Sequence, residues 1–287
     1  MVVLGRWQVL GLSTASVAAA VAVGVAAPTP VAHRASVKFQ ATAVAYPTTT
    51  PPPPPVNQAG MQVVALGDSV LSARRCGCSG ALTEYSRLLD ARTHHPALMV
   101  NAADGPATSS SVLDQLTNWA TLGADIRTAD MVVLMVGAND FDDAFVAVTR
   151  GADPSSTYRP VADRLQRNVV EIVQRVRSLR GAQIPVQVLG YWNDFRDGKV
   201  AASQYSAAKR AAAATATAAT NAALQGAAAT VGATFVPLVA AFTSQRGDPT
   251  SFLEDDGNHP DEAGNELIAA ALFHAWMATP AARWPAA

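Results

Sequence analysis

Short, mostly apolar runs recur along the chain: Met61-Gln-Val-Val-Ala-Leu66, Ala97-Leu-Met-Val100, Met131-Val-Val-Leu-Met-Val136, Val186-Gln-Val-Leu189 and Thr234-Phe-Val-Pro-Leu238. Runs of this length, bounded by turn residues, predict strands. The third is apolar throughout, as expected of a strand buried on both faces. The fifth is weakened by Pro237. Between them the spacing changes to that of helices. Residues 81–93 put Leu82, Tyr85, Leu88 and Leu89 on one face. Ser109 or Ser110 can cap a helix running to about Leu122, and further helices are predicted over about 158–180 and over 263–277. The alanine-rich stretch 201–230 reads as one packing helix or two, without a heptad seam. Strands alternating with helices of this length predict an α/β fold. Its parallel five-stranded sheet carries helices on both faces. No repeat of fixed period is visible.

The N-terminal pattern differs. Arg6 stands before an uncharged run of apolar and small residues over 9–27. A basic start, an apolar stretch and small residues at its end read as an export signal over 1–27. The run also nearly reaches the roughly 20 residues that span a bilayer, so an uncleaved membrane anchor is the alternative. Residues 28–59 hold Thr48 to Thr50 and Pro51 to Pro55. Consecutive prolines favour an extended polyproline II spacer, so this segment reads as a Pro/Thr-rich linker. The folded domain is then 60–287, exported and either released or tethered to a membrane or cell wall.

Composition narrows the chemistry. Lys+Arg 21 against Asp+Glu 22 gives a net charge of −1, without the basic surplus of a nucleic-acid binder. The 2 cysteines, Cys76 and Cys78, exclude a disulfide-rich scaffold, a four-cysteine zinc site and a four-cysteine iron–sulfur cluster. A monomer is expected.

In open parallel sheets, ligands bind beyond the C-terminal ends of the strands. The turns there are Gly67-Asp68-Ser69, Asn101 to Pro106 and Gly137-Ala138-Asn139-Asp140, with Asp256-Gly257-Asn258-His259-Pro260 before the last helix. Each has a plain reading: a helix start, a turn asparagine, a turn aspartate, a histidine ahead of a helix-opening proline. Together they supply a serine, a histidine, an aspartate and an asparagine, enough for nucleophilic acyl transfer.

In their order, these turns resemble the SGNH hydrolase family, also called GDSL esterases and lipases. Ala65-Leu-Gly-Asp-Ser-Val70 is similar to the family's first block, with valine for the usual leucine. Gly137-Ala-Asn-Asp140 matches its Gly-x-Asn-Asp block, and Asp256-Gly-Asn-His-Pro260 its Asp-x-x-His block. The resemblance covers about residues 62–275. It implies a flavodoxin-like three-layer sandwich, no metal and no cofactor. It implies Ser69 as nucleophile, His259 as base, and Asp256 as the group that orients the imidazole. The oxyanion donors would be the Ser69 and Gly105 N–H groups and the Asn139 amide. In the second block the family's glycine falls at Pro106, which has no N–H, so the backbone donor there is open and Gly105 is adjacent. The implied substrate is a carboxylic ester, either a lipid or an acylated carbohydrate. The absence of Gly-x-Ser-x-Gly argues against the nucleophile elbow of α/β-hydrolases.

Other features are weighed beside this. A disulfide between Cys76 and Cys78 would close a small strained ring, which an exported chain can form; free thiols or intermolecular pairing are the alternatives. Arg74 and Arg75 read as solvated arginines or as attraction for an anionic substrate. Tyr191 to Phe195 follow the fourth strand on the active edge, where Trp192 can line a substrate pocket. His94 and His95 lie in a helix-to-strand connection, away from that edge. The competing classes are a non-catalytic carbohydrate- or wall-binding protein on the same fold, and a flavodoxin-like phosphate or flavin binder. Asp68 and the lack of further glycines disfavour a phosphate cradle.

Overall fold

The computed structural model describes residues 60–243 and 247–283. The expected export segment, 1–27, and all of the expected linker, 28–59, lie outside the described residues. Strands β1 (Met61–Gly67), β2 (Ala97–Asn101), β3 (Met131–Met135), β4 (Val186–Leu189) and β5 (Thr234–Val236) form one sheet. Its order is β2-β1-β3-β4-β5 and every neighbouring pair is parallel. This is the predicted flavodoxin-like order. Every residue of β3, the middle strand, is buried. The final strand is cut short before Pro237, which cannot donate to a ladder.

Among the described residues, ten α-helices surround the sheet: α1 (Ser69–Ser72), α2 (Ala81–Thr93), α3 (Ser109–Asn118), α4 (Ala120–Thr128), α5 (Asp142–Thr149), α6 (Pro154–Arg180), α7 (Gly198–Gln204), α8 (Ala207–Val231), α9 (Val239–Thr243) and α10 (Glu262–Met277). On one face α2 packs against α10, and on the other α6 packs against α8, α3, α4 and α5. Gln187 of β4 shows why the first layer is specific. Its buried amide accepts from the Tyr85 hydroxyl on α2 at 3.0 Å and donates to the Leu272 carbonyl on α10 at 2.9 Å. A buried amide left without partners would cost about 1–3 kcal/mol, so this strand position demands both helices.

Several boundaries differ from the periodicity. The cap of α3 is Thr108 rather than Ser109 or Ser110, because Thr108 and Ser111 satisfy one another's backbone N–H groups in a capping box. The single helix expected there is two, broken where Trp119 turns to extended backbone. Helix α6 begins at Pro154 because Asp153 accepts from Ser156 N–H at 2.8 Å and proline suits the first helical position. The alanine-rich stretch is two helices, and Ser206 caps the second. Helix α5 and the 3₁₀ turn Ala138–Phe141, which contains Asn139, were not apparent from periodicity. Among the described residues, no helix is long and apolar enough to cross a membrane.

Candidate active site

The site lies where β1, β3 and β4 end. Gly67 closes β1 with φ 155°, and a Cβ there would overlap the Met135 carbonyl oxygen of β3. Glycine therefore lets the strands stay close up to the residue where the chain turns out of the sheet. Asp68 caps α1, its Oδ1 accepting from Val70 N–H at 3.1 Å. Ser69 is the first residue of that helix. The first N–H groups of a helix have no intrahelical acceptor, and Ser69 carries one of them.

Some 190 residues later, Asp256 Oδ1 accepts from the N–H groups of Asn258 at 2.9 Å and His259 at 3.0 Å. This short turn points Oδ2 at His259 Nδ1, 2.7 Å away, and His259 Nε2 lies 2.9 Å from Ser69 Oγ. An ionised carboxylate only accepts, so Nδ1 carries the proton and Nε2 is left to accept from the serine hydroxyl. Partial burial pushes the Asp256 carboxyl up, but the His259 and Asn258 N–H groups and the His259 ring outweigh it. The net effect holds it below the usual carboxylate range, and it stays ionised at neutral pH.

Asn139 follows β3. Its Nδ2 donates to the Ala107 carbonyl at 2.9 Å and lies 3.4 Å from that of Gly105. The neighbouring Asp140 accepts from both the N–H and the hydroxyl of Ser109, at 2.8 and 2.6 Å. These bonds fasten the loop 102–108 to the end of β3. Gly105 is thus beside Asn139, but its N–H donates to Asp104 Oδ1 at 3.0 Å. Pro106 is exposed.

Ser69, Asn139, His259 and Trp192 line one pocket of about 170 Å³, whose other walls include Tyr191 and Asp194. Gly105 and Asp256 do not line it. Trp192 is buried and stacks on Phe242, centroids 4.1 Å apart. Tyr191 O–H donates to Asp68 Oδ2. Asp194 Oδ2 accepts from the Thr220 hydroxyl at 2.5 Å, while Oδ1 is buried without a partner among the described residues. Burial pushes both the Asp68 and the Asp194 carboxyls up to about 7. Tyr191 and Asp194 fall within the loop singled out from its place after β4. Their buried polar partners were not apparent, since Thr220 and Asp68 lie far off in the sequence. Cys76 and Cys78 are joined in a disulfide. His94 ends α2 in a left-handed conformation. No group of three or more His, Cys, Asp or Glu side chains poised for a metal occurs among the described residues.

The GDSL-like lipase/acylhydrolase family model matches residues 65–267. No curated protein sequence matches the chain. Among solved structures, a lipase from a goat rumen metagenome is 17% identical with a TM-score of 0.62, over 75% of this chain and 97% of that one. An extracellular lipase from Streptomyces rimosus is 22% identical with a TM-score of 0.56, over 75% and 100%. A variant of an acetyl-xylooligosaccharide esterase from Geobacillus is 18% identical with a TM-score of 0.53, over 76% and 94%. At such identities the likeness to these structures is one of fold. The family match spans β1 to α10 and takes in both the serine turn and the Asp-x-x-His turn, so the chain belongs to the GDSL-like lipase/acylhydrolase family and is an ester hydrolase.

Proposed function

We propose that the protein is an exported serine esterase acting on carboxylic esters with short acyl groups, through Ser69, His259 and Asp256. The observation that carries this is the unbroken chain of contacts, Ser69 Oγ to His259 Nε2 at 2.9 Å and His259 Nδ1 to Asp256 Oδ2 at 2.7 Å. In the first step Ser69 Oγ attacks the ester carbonyl carbon and its proton passes to His259 Nε2. The tetrahedral intermediate collapses, the C–O bond to the alcohol breaks, and His259 returns the proton to the departing alkoxide. Water, deprotonated by the same nitrogen, then hydrolyses the acyl-enzyme. Asp256 holds the imidazole in the working tautomer and balances its transient charge. The oxyanion is received by Ser69 N–H and the Asn139 amide. Gly105 N–H joins them only after leaving Asp104.

A pocket of about 170 Å³ is smaller than the usual 300–1,000 Å³ of ligand sites, which favours a short acyl group over a long lipid tail. The alcohol side remains open to lipid or sugar. Residues 1–27 direct export, and 28–59 hold a monomeric domain away from the surface it leaves. A fluorophosphonate labels only an activated serine, so the full chain should be labelled and the Ser69→Ala protein should not. Turnover of p-nitrophenyl acetate should fall by about 10⁴ or more in Ser69→Ala and in His259→Ala. Equal labelling of wild type and Ser69→Ala would remove the reading.

A further inference from the structure

The loop after Ser69 carries a guanidinium and a disulfide, and both approach the residues that hold His259. Arg75 Nε lies 3.4 Å from Asp256 Oδ2, the same oxygen that faces His259 Nδ1. Arg75 is followed at once by the ring closed between Cys76 and Cys78. Such a ring removes backbone freedom beside the arginine. Buried Asn265 ties the ring to the histidine turn. Its Nδ2 lies 3.8 Å from Cys78 Sγ and donates to the Pro260 carbonyl at 3.2 Å, while its Oδ1 accepts from Ala81 N–H at 3.0 Å. Ser69, Arg75, Cys76, His259 and Asn265 border one small cleft.

We propose that Arg75 is a positioning residue for ester hydrolysis, held by the Cys76–Cys78 ring so that its charge fixes the Asp256 carboxylate and disfavours a second cation on His259. The proposal rests on the reading of Ser69, His259 and Asp256 as the hydrolytic group. The imidazole must be uncharged to take the serine proton. A guanidinium beside the oxygen that Asp256 shares with His259 opposes protonation of the resting enzyme, so the working form persists to lower pH. The Arg75 side chain is 64% exposed, so the effect is modest and screened by salt. Asp68, Asp142, Asp194 and Tyr191 also line the His259 pocket, and Glu254 and Asp255 precede it on its own loop. Burial pushes the Asp68 and Asp194 carboxyls up to about 7. All of these are common to every variant, so the difference between two profiles isolates Arg75.

The experiment follows kcat/KM of the full chain toward p-nitrophenyl acetate across the acid limb, at low salt and at about 1 M salt, where the Debye length is about 3 Å. Arg75→Ala and Arg75→Gln should each move the limb up by about 0.5 pH unit at low salt, the effect of unit charges about 6 Å apart in water. The shift should shrink at high salt, and Arg75→Lys should restore most of it. Cys76→Ser/Cys78→Ser should move the limb the same way by less. Arg87→Ala, which removes a surface cation paired with Glu84 at 2.5 Å, should leave it in place. Coincident limbs for wild type and both neutral Arg75 variants at low salt would overturn the proposal. So would a shift that salt leaves intact and Arg75→Lys does not reverse, since packing rather than charge would then be its cause. Fluorophosphonate labelling keeps two failures apart. Unlabelled wild type defeats the serine reading itself, whereas labelled enzymes with coincident limbs defeat only the role of Arg75.

Discussion

The Tyr191 hydroxyl donates to Oδ2 of Asp68 across 123 residues, tying the end of β4 to the residue that precedes Ser69. The other oxygen of Asp68 caps the serine helix, so one buried carboxyl joins strand, helix and nucleophile. Tyr191→Phe leaves that oxygen of a buried carboxyl without its donor. The expected loss is about 1–3 kcal/mol of stability. The bond favours the charged form of Asp68, so the loss should be larger at pH 8 than at pH 5. Urea unfolding of wild type and Tyr191→Phe at both pH values measures this, and equal losses would contradict it.

Asp68 and Asp194 also set a direction for stability against pH. Burial raises both from 3.8 to about 7, so between those values the folded state binds protons that the unfolded state has released. Stability from these groups is then full below about pH 4 and declines as pH rises through 7. Asp256 acts oppositely, because its carboxyl is held low. Its contribution is present above the ordinary carboxylate value and is lost as pH falls through the lowered one. Asp194→Asn removes one declining contribution. Relative to wild type it should gain stability at pH 8 compared with pH 5, and an unchanged difference in denaturation midpoints would count against it.

Asn139 carries the oxyanion prediction. Its Nδ2 donates to the Ala107 carbonyl at 2.9 Å and at greater length to that of Gly105 at 3.4 Å, so the bond to Gly105 is the one that yields to the developing charge. Asn139→Ala should lower kcat by about 10²–10³ with KM little changed. Asp104→Ala frees the Gly105 N–H, so in that background the Asn139→Ala loss should shrink. A double-mutant cycle on kcat reads the coupling, and strict additivity would show that Gly105 never serves the site.

Much of this was legible beforehand, for local reasons. The apolar runs located all five strands, most plainly β3 and β4, because a strand buried on both faces has no other composition open to it. Ser69, Asn139, Asp256 and His259 were legible because each sits in a turn at a strand end or helix start, where side chains are free to do chemistry. What was hidden depends on contacts between distant segments. Thr108 is one of four adjacent hydroxyl residues, and only its exchange with Ser111 makes it the cap. That Asp104 takes the Gly105 N–H, and that Arg75 reaches Asp256, are matters of loop path that no spacing encodes.

Trp192 was expected to line a substrate pocket, and it does form a wall of the cavity beside Ser69. Its ring is 5% exposed and stacks on Phe242 at an interplanar angle of 11°. Its Nε1 is buried without a partner among the described residues, so the indole works there as apolar surface rather than as a donor. Two substitutions separate packing from selection. Trp192→Phe keeps the stack and removes the unpaired N–H, so its stability cost should fall well short of truncation. Trp192→Ala deletes the wall, at about 3–5 kcal/mol of stability. In protein that still folds, the enlarged cavity should accept longer acyl chains. The ratio of kcat/KM for p-nitrophenyl octanoate over acetate should then rise by about tenfold or more, the scale of 1–3 kcal/mol in pocket fit. The ratio is internal to one preparation, so partial unfolding cannot produce the change. A ratio unmoved in folded Trp192→Ala would mean that the acyl group lies elsewhere along the strand ends and that Trp192 only supports Phe242.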